Sequence, residues 1–174
     1  MLSLQSEIDS LCAVSHELLH LGLDGEPIYS DRFRQLNTDV YRQCEQLVTL
    51  HGNTIEEEAS LCIALLTGYN ATIYNHGDKE EKIQSVLDRC WAIIDKLSTS
   101  LLKCQLLVAC YAEVFDEELA KEAHEILDGW KSRKLSEEET EAYSYLHSDY
   151  KQWNATAQEL SYRSLSDPLF QNFR

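Results

Sequence analysis

The chain has 174 residues, of which 44% are apolar and 26% are charged, which is the balance of one globular domain. Its formal net charge of −15 argues against direct binding to nucleic acid or to an anionic membrane, because both attract Lys and Arg side chains. The same charge favours a basic protein partner, although it can also serve solubility alone. The low content of helix breakers, 6 Gly and 2 Pro, predicts long helices with short connections.

Apolar residues that recur every three or four positions predict three helices in the first half of the chain. The first helix ends at Gly22, and the second begins after Ser30, a favourable N-cap residue. The third is the clearest, because Thr54 and Glu57 form a capping box in which each side chain satisfies a backbone amide of the other residue. The Gly77-Asp78 pair ends this segment.

Four further helices are predicted between Asp78 and Tyr150. Their starts are marked by capping residues, namely Asp78 with Glu81, Ser98 or Ser100, Asp116, and Ser136 with Glu139. The fifth helix, LLKCQLLVACYAEV, is apolar on nearly all sides and is therefore expected in the middle of a bundle. The pattern weakens beyond Lys151.

These elements predict an all-α, single-domain antiparallel bundle of about seven helices over residues 1–150. Residues 151–174 are expected to form a C-terminal extension that is either weakly helical or a docked tail. The alternative fold is a TPR-like stack of helical hairpins, which would make the chain a peptide-binding adaptor with a concave groove. The Trp, Leu-Gly and Tyr pattern of TPR repeats is missing, so the bundle is preferred.

The six cysteines lie within helical segments and never in a C-x-x-C spacing, so core filling is their expected role. The N-terminal sequence MLSLQSEIDS lacks the basic and apolar regions of a signal peptide, and no apolar stretch is long enough to span a bilayer. These features, together with reduced cysteines, predict a cytoplasmic protein.

One motif is typical of a catalytic site. His16, Glu17 and His20 match the H-E-x-x-H pattern, in which two His residues bind zinc and the Glu activates a water molecule, so a zinc-dependent hydrolase is an alternative function. Against it, no third His follows at the required spacing, and no β-sheet precedes the motif. On a helical wheel His16 lies about 100° and His20 about 140° from the centre of the apolar stripe, which places the motif on a solvated flank. We therefore predict neither a metal nor a catalytic residue.

Three stretches in the middle of the chain carry a family resemblance: EEEASLCIALLTGYNATIYNHGD, KIQSVLDRCWAIIDKLSTSLLKC and CYAEVFDEELAKEAHEILDGW. Together with GEPIYSDRFRQLN upstream, they resemble the UpxZ family of transcription antitermination antagonists from Bacteroides. The resemblance implies that the protein inhibits NusG-like UpxY antiterminators of other capsular polysaccharide loci, so that one capsule operon dominates. It implies antagonism by protein–protein binding, and it provides no catalytic residues and no cofactor.

Two groups of residues are hypotheses for the partner-binding surface. One runs to the end of the third helix and includes aromatic side chains, which are favoured at interfaces. The other is an acidic turn that would complement a basic protein, although the dipole at a helix start also favours such charges. The residues are Tyr69, Asn70, Tyr74, Asn75 and His76 in the first group, and Asp116, Glu117 and Glu118 in the second.

Overall fold

The computed structural model describes residues 3–21, 30–73, 77–137, 139–140 and 143–144. Its α-helices are, in chain order, α1 (Leu4–His20), α2 (Asp31–Leu47), α3 (Ile55–Ala71), α4 (Lys79–Ile93), α5 (Leu101–Val114) and α6 (Glu117–Trp130). A 3₁₀ turn at Ile94–Lys96 extends α4. No strand occurs within these ranges, so the prediction of an all-α fold is confirmed. Across the same ranges, no helix combines the length and apolar character needed to cross a membrane.

The chain divides into two compact units, residues 1–126 and residues 127–174. The predicted boundary after residue 150 lies outside the described residues, as does most of the seventh predicted helix. Its start is described and forms the predicted capping box: Ser136 Oγ accepts from the Glu139 N–H at 3.1 Å, and Glu139 Oε2 accepts from the Ser136 N–H at 3.0 Å.

Three further predicted N-caps are confirmed by hydrogen bonds from the helix amides to the capping hydroxyl groups. These are Ser30 with the Phe33 N–H at 3.2 Å, Thr54 with the Glu57 N–H at 3.1 Å, and Ser100 with the Lys103 N–H at 3.2 Å. Ser100, and not Ser98, therefore begins α5. The Glu57 carboxylate accepts from the N–H of Asn53 at 2.7 Å, one residue before the partner that the capping box predicts.

The capping box predicted for Asp78 and Glu81 is wrong. Asp78 occupies the N-cap position of α4 but makes no side-chain capping hydrogen bond. Its carboxylate instead pairs with the Lys82 ammonium group at 2.8 Å, one helical turn away. A full positive charge within reach is a stronger partner for a carboxylate than a neutral amide.

The middle of the bundle is α3, which packs against α1, α2, α4 and α5. Buried residues occupy nearly every side of α3, and they include Ala59, Leu61, Cys62, Ala64, Leu65 and Leu66. The prediction that the fifth helix is central is wrong, because burial in α5 is confined to Cys104, Leu106, Leu107 and Cys110. Small residues explain the difference, since Ala and Gly in α3 allow neighbouring helices to approach from several directions.

The contact between α2 and α3 depends on Gly68. A Cβ atom at this position would lie 2.5 Å from Cys44 Sγ, which is closer than side-chain atoms pack. At the other end of the contact, the Asn37 side chain binds the backbone of Ile73. Because residue numbers rise along α2 as they fall along α3, the two helices are antiparallel, as predicted. α1 packs against both α2 and α3, and α3 packs against α5; contacts of this kind between successive and alternate helices occur both in bundles and in stacks of helical hairpins.

Candidate protein-binding surface

The H-E-x-x-H motif lies on the solvated flank that the helical wheel predicts. His16 and Glu17 are exposed and His20 is half-buried. The His20 Nδ1 group donates to the His16 carbonyl oxygen at 2.8 Å, and the two rings stack with centroids 3.9 Å apart. The Glu17 carboxylate accepts from Arg32 Nε at 2.8 Å, which ties α1 to α2. Within the described ranges, no three His, Cys, Asp or Glu residues are grouped as a metal site would require.

A nearly buried ion pair joins α3 to α4. Arg89 Nε donates to Glu58 Oε1 at 2.7 Å, and the other guanidinium nitrogens donate to the carbonyl oxygens of Val48 and Leu50. Burial would raise the pKa of Glu58, but hydrogen bonds from Arg89, Gly52 and His51 outweigh it and hold that pKa below its ordinary value. This network fixes the α2–α3 connection, so its charges serve the fold.

The connection between α5 and α6 has an unusual conformation. Phe115 follows the last residue of α5 and adopts a left-handed backbone, with φ 54° and ψ 32°. This conformation costs a non-glycine residue about 1–2 kcal/mol. The Phe115 N–H donates to the Tyr111 carbonyl oxygen at 2.9 Å and closes the helix, while the Phe115 side chain is 72% exposed. Val114 beside it is 42% exposed. Large apolar side chains therefore point into solvent at this turn.

Acidic side chains follow directly. Asp116, Glu117 and Glu118 are exposed, and Asp116 Oδ1 accepts from the Glu118 N–H at 3.0 Å. The prediction that Asp116 caps this helix is thus confirmed. The contact between Glu118 and the Lys121 ammonium group, at 3.7 Å between exposed side chains, neutralises little of the charge.

The C-terminal end of α3 lies beside this turn. The Asn70 side-chain amide donates to Glu113 Oε1, which joins the last turns of α3 and α5. Burial raises the pKa of Glu113, although the Asn70 hydrogen bond and the Lys79 charge oppose the shift. Ile73, just beyond α3, is 62% exposed, and its backbone is held by the Asn37 side chain at 2.7 Å and 3.0 Å.

These residues lie at, or within a few positions of, the Asn70–Glu113 junction between the ends of α3 and α5, and most of them expose apolar or acidic side chains. We call this region the corner surface, and its members are Asn70, Ile73, Glu113, Val114, Phe115, Asp116, Glu117 and Glu118. Sequence reasoning missed Ile73, Val114 and Phe115. The sequence carried no signal for them, because the left-handed conformation of Phe115, at a position where Gly or Asn is the usual choice, is visible only in the structure.

The predicted group at the end of the third helix divides into three cases. Asn70 is exposed and belongs to the corner surface. Tyr69 is completely buried, and its hydroxyl group donates to Glu45 Oε1 at 3.3 Å, so its ring packs in the core and is not available to a partner. Tyr74, Asn75 and His76 lie outside the described residues.

A shallow groove of about 370 Å³ lies between α1 and α2. Polar and apolar atoms both line the groove, which is bordered by Glu7, Ser10, Arg42, Gln43, Gln46, Leu47 and Leu50. The residues of α2 that line the groove all lie C-terminal to Asn37, the residue that binds Ile73. The groove therefore provides a second exposed region, separate from the corner surface, against which partner binding can be compared.

Known proteins provide the context for this surface. The model of the UpxZ family of transcription anti-terminator antagonists matches residues 8–112. A crystal structure of a transcription anti-terminator antagonist UpxZ from Bacteroides uniformis is 43% identical in sequence, with a TM-score of 0.73. That match covers 87% of this chain and 94% of the other. No curated protein shows a significant match.

Proposed function

We propose that this chain, which belongs to the UpxZ family of transcription anti-terminator antagonists, binds and inhibits NusG-like anti-terminators of the UpxY type. Inhibition restricts expression of capsular polysaccharide operons in the cytoplasm. The observation that carries the proposal is family membership, which rests on a match over residues 8–112 and on a relative that is 43% identical.

The charge of the chain supports binding to a protein rather than to the transcript. A net charge of −15 repels nucleic acid but complements a factor that works close to nucleic acid and carries basic side chains. The corner surface adds exposed apolar side chains to that charge, and a mixture of this kind supports a specific contact between proteins.

The mode of action is stoichiometric binding without catalysis. The carboxylate that would have to activate a zinc-bound water belongs to Glu17, and it is engaged in an ion pair with Arg32. His20 uses its Nδ1 proton for the backbone of His16, and both rings stack on each other along one exposed helix face. These contacts stabilise α1 and its packing on α2.

A reconstituted transcription assay tests the proposal. RNA polymerase on a template with a terminator is expected to read through when a purified UpxY-type anti-terminator is present, and added chain is expected to return termination to its basal level. Without the anti-terminator, the chain should leave termination unchanged. Unchanged read-through at a large molar excess of the chain would contradict the proposal.

The same titration distinguishes binding from catalysis. Stoichiometric antagonism predicts that inhibition rises with the molar ratio of chain to anti-terminator and saturates near equivalence. A zinc hydrolase would act at a small fraction of that ratio, would change the mass of the anti-terminator, and would lose activity with a chelator. The variant in which His16 and His20 are both replaced by Ala should inhibit as well as the wild type. The two purified proteins should also contain the same amount of zinc.

A further inference from the structure

We infer that the corner surface is the part of this chain that contacts the anti-terminator, with the Phe115 ring entering an apolar pocket bordered by Lys and Arg side chains. This inference rests on the proposed function and adds to it the location and chemistry of the contact. The occupant is a basic region of the anti-terminator.

The first argument is that neither the backbone conformation nor core packing calls for an aromatic residue at position 115. Its left-handed backbone is unfavourable for an aromatic residue, whereas Gly adopts it without strain. Its side chain is 72% exposed, so it contributes little to the core. The ring contacts Tyr111 edge to face, with centroids 6.0 Å apart, and this contact orients the ring without covering it. Strained residues of this kind concentrate where a protein binds ligands.

The second argument is that the surroundings of Phe115 are held in place. The Asn70 amide links α3 to Glu113 of α5, and the Asn37 side chain binds both backbone polar groups of Ile73. On the other side, Asp116 fixes the first turn of α6. An apolar side chain presented on a fixed frame loses little conformational entropy on binding, which favours affinity.

The third argument is the comparison of Asp116–Glu118 with the acidic run Glu56–Glu58. In that run the Glu57 carboxylate binds Asn53, and the Glu58 carboxylate binds Arg89 and Gly52. At the corner surface, Asp116 makes a capping bond, Glu118 makes a distant contact with Lys121, and all three carboxylates are exposed. The charge at the corner therefore faces solvent, where it can attract Lys and Arg side chains of a partner.

The same charge argues against a second copy of this chain as the occupant. A two-fold interface through the corner surface would bring two copies of this acidic patch into the same interface. Like charges placed face to face oppose association. Nucleic acid is disfavoured for the same reason.

The test measures binding of a purified UpxY-type anti-terminator to the wild-type chain and to variants by biolayer interferometry. Phe115→Gly removes the ring and relieves the backbone, and it is expected to weaken binding at least about tenfold. Phe115→Asn, which also tolerates the left-handed backbone, should weaken it similarly. Reversal of Glu117 and Glu118 to Lys should slow association, and the loss should shrink as salt is added.

Matched controls come from other exposed positions. Leu19→Ala removes an apolar side chain that is 51% exposed on α1, and reversal of Glu80 and Glu81 to Lys changes two exposed first-turn carboxylates of α4. Gln46→Ala alters the groove between α1 and α2. Each control should bind within twofold of the wild type.

The outcomes separate this inference from the function on which it rests. Wild-type binding together with Phe115 variants that bind within twofold would overturn the corner surface and leave the antagonist function intact. Equal losses in the Leu19 or groove controls would also overturn it. Failure of the wild type to bind any anti-terminator tested would overturn the proposed function. Phe115 variants that change only the self-association of the chain, measured by light scattering, would identify a second copy as the occupant and refute the inference.

Discussion

Replacement of Gly68 by Ala tests the close packing at the centre of the bundle. The added Cβ atom would lie 2.5 Å from Cys44 Sγ, 3.2 Å from Leu11 Cδ1 and 3.4 Å from Val40 Cγ1. The first contact is too short for any side-chain atom, so α2 and α3 must separate or Cys44 must rotate. Cys44 is fully buried, and its sulfur can turn only towards other core atoms. The substitution therefore forces strain into the middle of the fold.

Two effects of opposite sign set the magnitude. Helix propensity favours Ala over Gly inside a helix by about 1 kcal/mol. Overpacking of a filled core costs about 1–3 kcal/mol, and a contact this short at a buried site belongs in the upper half of that range. We therefore expect Gly68→Ala to lower the free energy of unfolding by about 1–2 kcal/mol. For a chain of this size, the melting temperature should fall by about 2–8 °C.

Urea denaturation followed by circular dichroism measures the effect, and a double-mutant cycle identifies its cause. Cys44→Ala removes the sulfur that the new Cβ atom meets, so the double variant should be more stable than the sum of the single changes predicts, by at least about 1 kcal/mol. Gly68→Ala with wild-type stability or better would refute the reasoning. Additivity within about 0.5 kcal/mol would show that Cys44 is not the atom responsible.

Three further predictions concern the charges, caps and thiols. The folded-state pKa of Glu58 is held below its ordinary value of 4.5, so the ionised carboxylate contributes fully to the free energy of unfolding above pH 4.5 and this contribution is lost as the pH falls through the folded-state pKa. The difference in free energy of unfolding between the wild type and Glu58→Gln should therefore shrink in acid. A difference that grows in acid would contradict this. Ser100→Ala should lower the free energy of unfolding by about 1 kcal/mol, whereas Ser98→Ala, measured alongside, should have little effect. Cys12 is exposed, although partial burial and Asp9 raise the pKa of its thiol, and the other five cysteines are buried, with burial raising the pKa of Cys44 and Cys104 to about 12. Ellman's reagent should therefore modify one thiol in the native protein, more slowly than a free thiol, and six after unfolding. More than one native equivalent would be inconsistent with this core.

The helices could be predicted because their signals are local. The caps at Ser30, Thr54 and Ser100 each depend on a hydroxyl group and an amide three residues later, and no distant residue competes for them. At Asp78 the rule failed because Lys82 lies within reach and carries a charge. The exposed flank that carries His16 was also predictable, since it depends only on the angle between helix positions.

The identity of the central helix was not predictable from apolar content. The fifth helix is rich in apolar residues, yet Val114 at its end is 42% exposed. The number of neighbours around a helix depends on how closely they can approach, and this is decided by small residues such as Ala64 and Gly68 in α3. Periodicity describes which side of a helix is apolar, but it does not show how many helices cover that side.

The corner surface could not be predicted because its main feature is a backbone conformation. The residues Val114–Glu118 read as the end of one helix and the start of the next, and nothing in that pattern distinguishes an exposed Phe115 ring from a buried one. Only the left-handed turn, with Phe115 at φ 54°, directs the ring into solvent. The acidic residues could be found from sequence because they are consecutive, whereas Ile73, which follows the helix that Asn70 joins to α5, lies more than forty positions away.

The core and the corner surface should tolerate substitution to different degrees. Positions such as Gly68 tolerate little change, because four helices meet around α3. Phe115 and Asp116–Glu118 are exposed, so substitutions there alter charge and shape at little cost in stability. At Phe115 some substitutions should even stabilise the chain, since Gly or Asn would relieve the left-handed backbone. The contact that we propose outside the chain would explain an aromatic residue at a position that favours Gly or Asn, and the adjacent carboxylates would favour a basic partner.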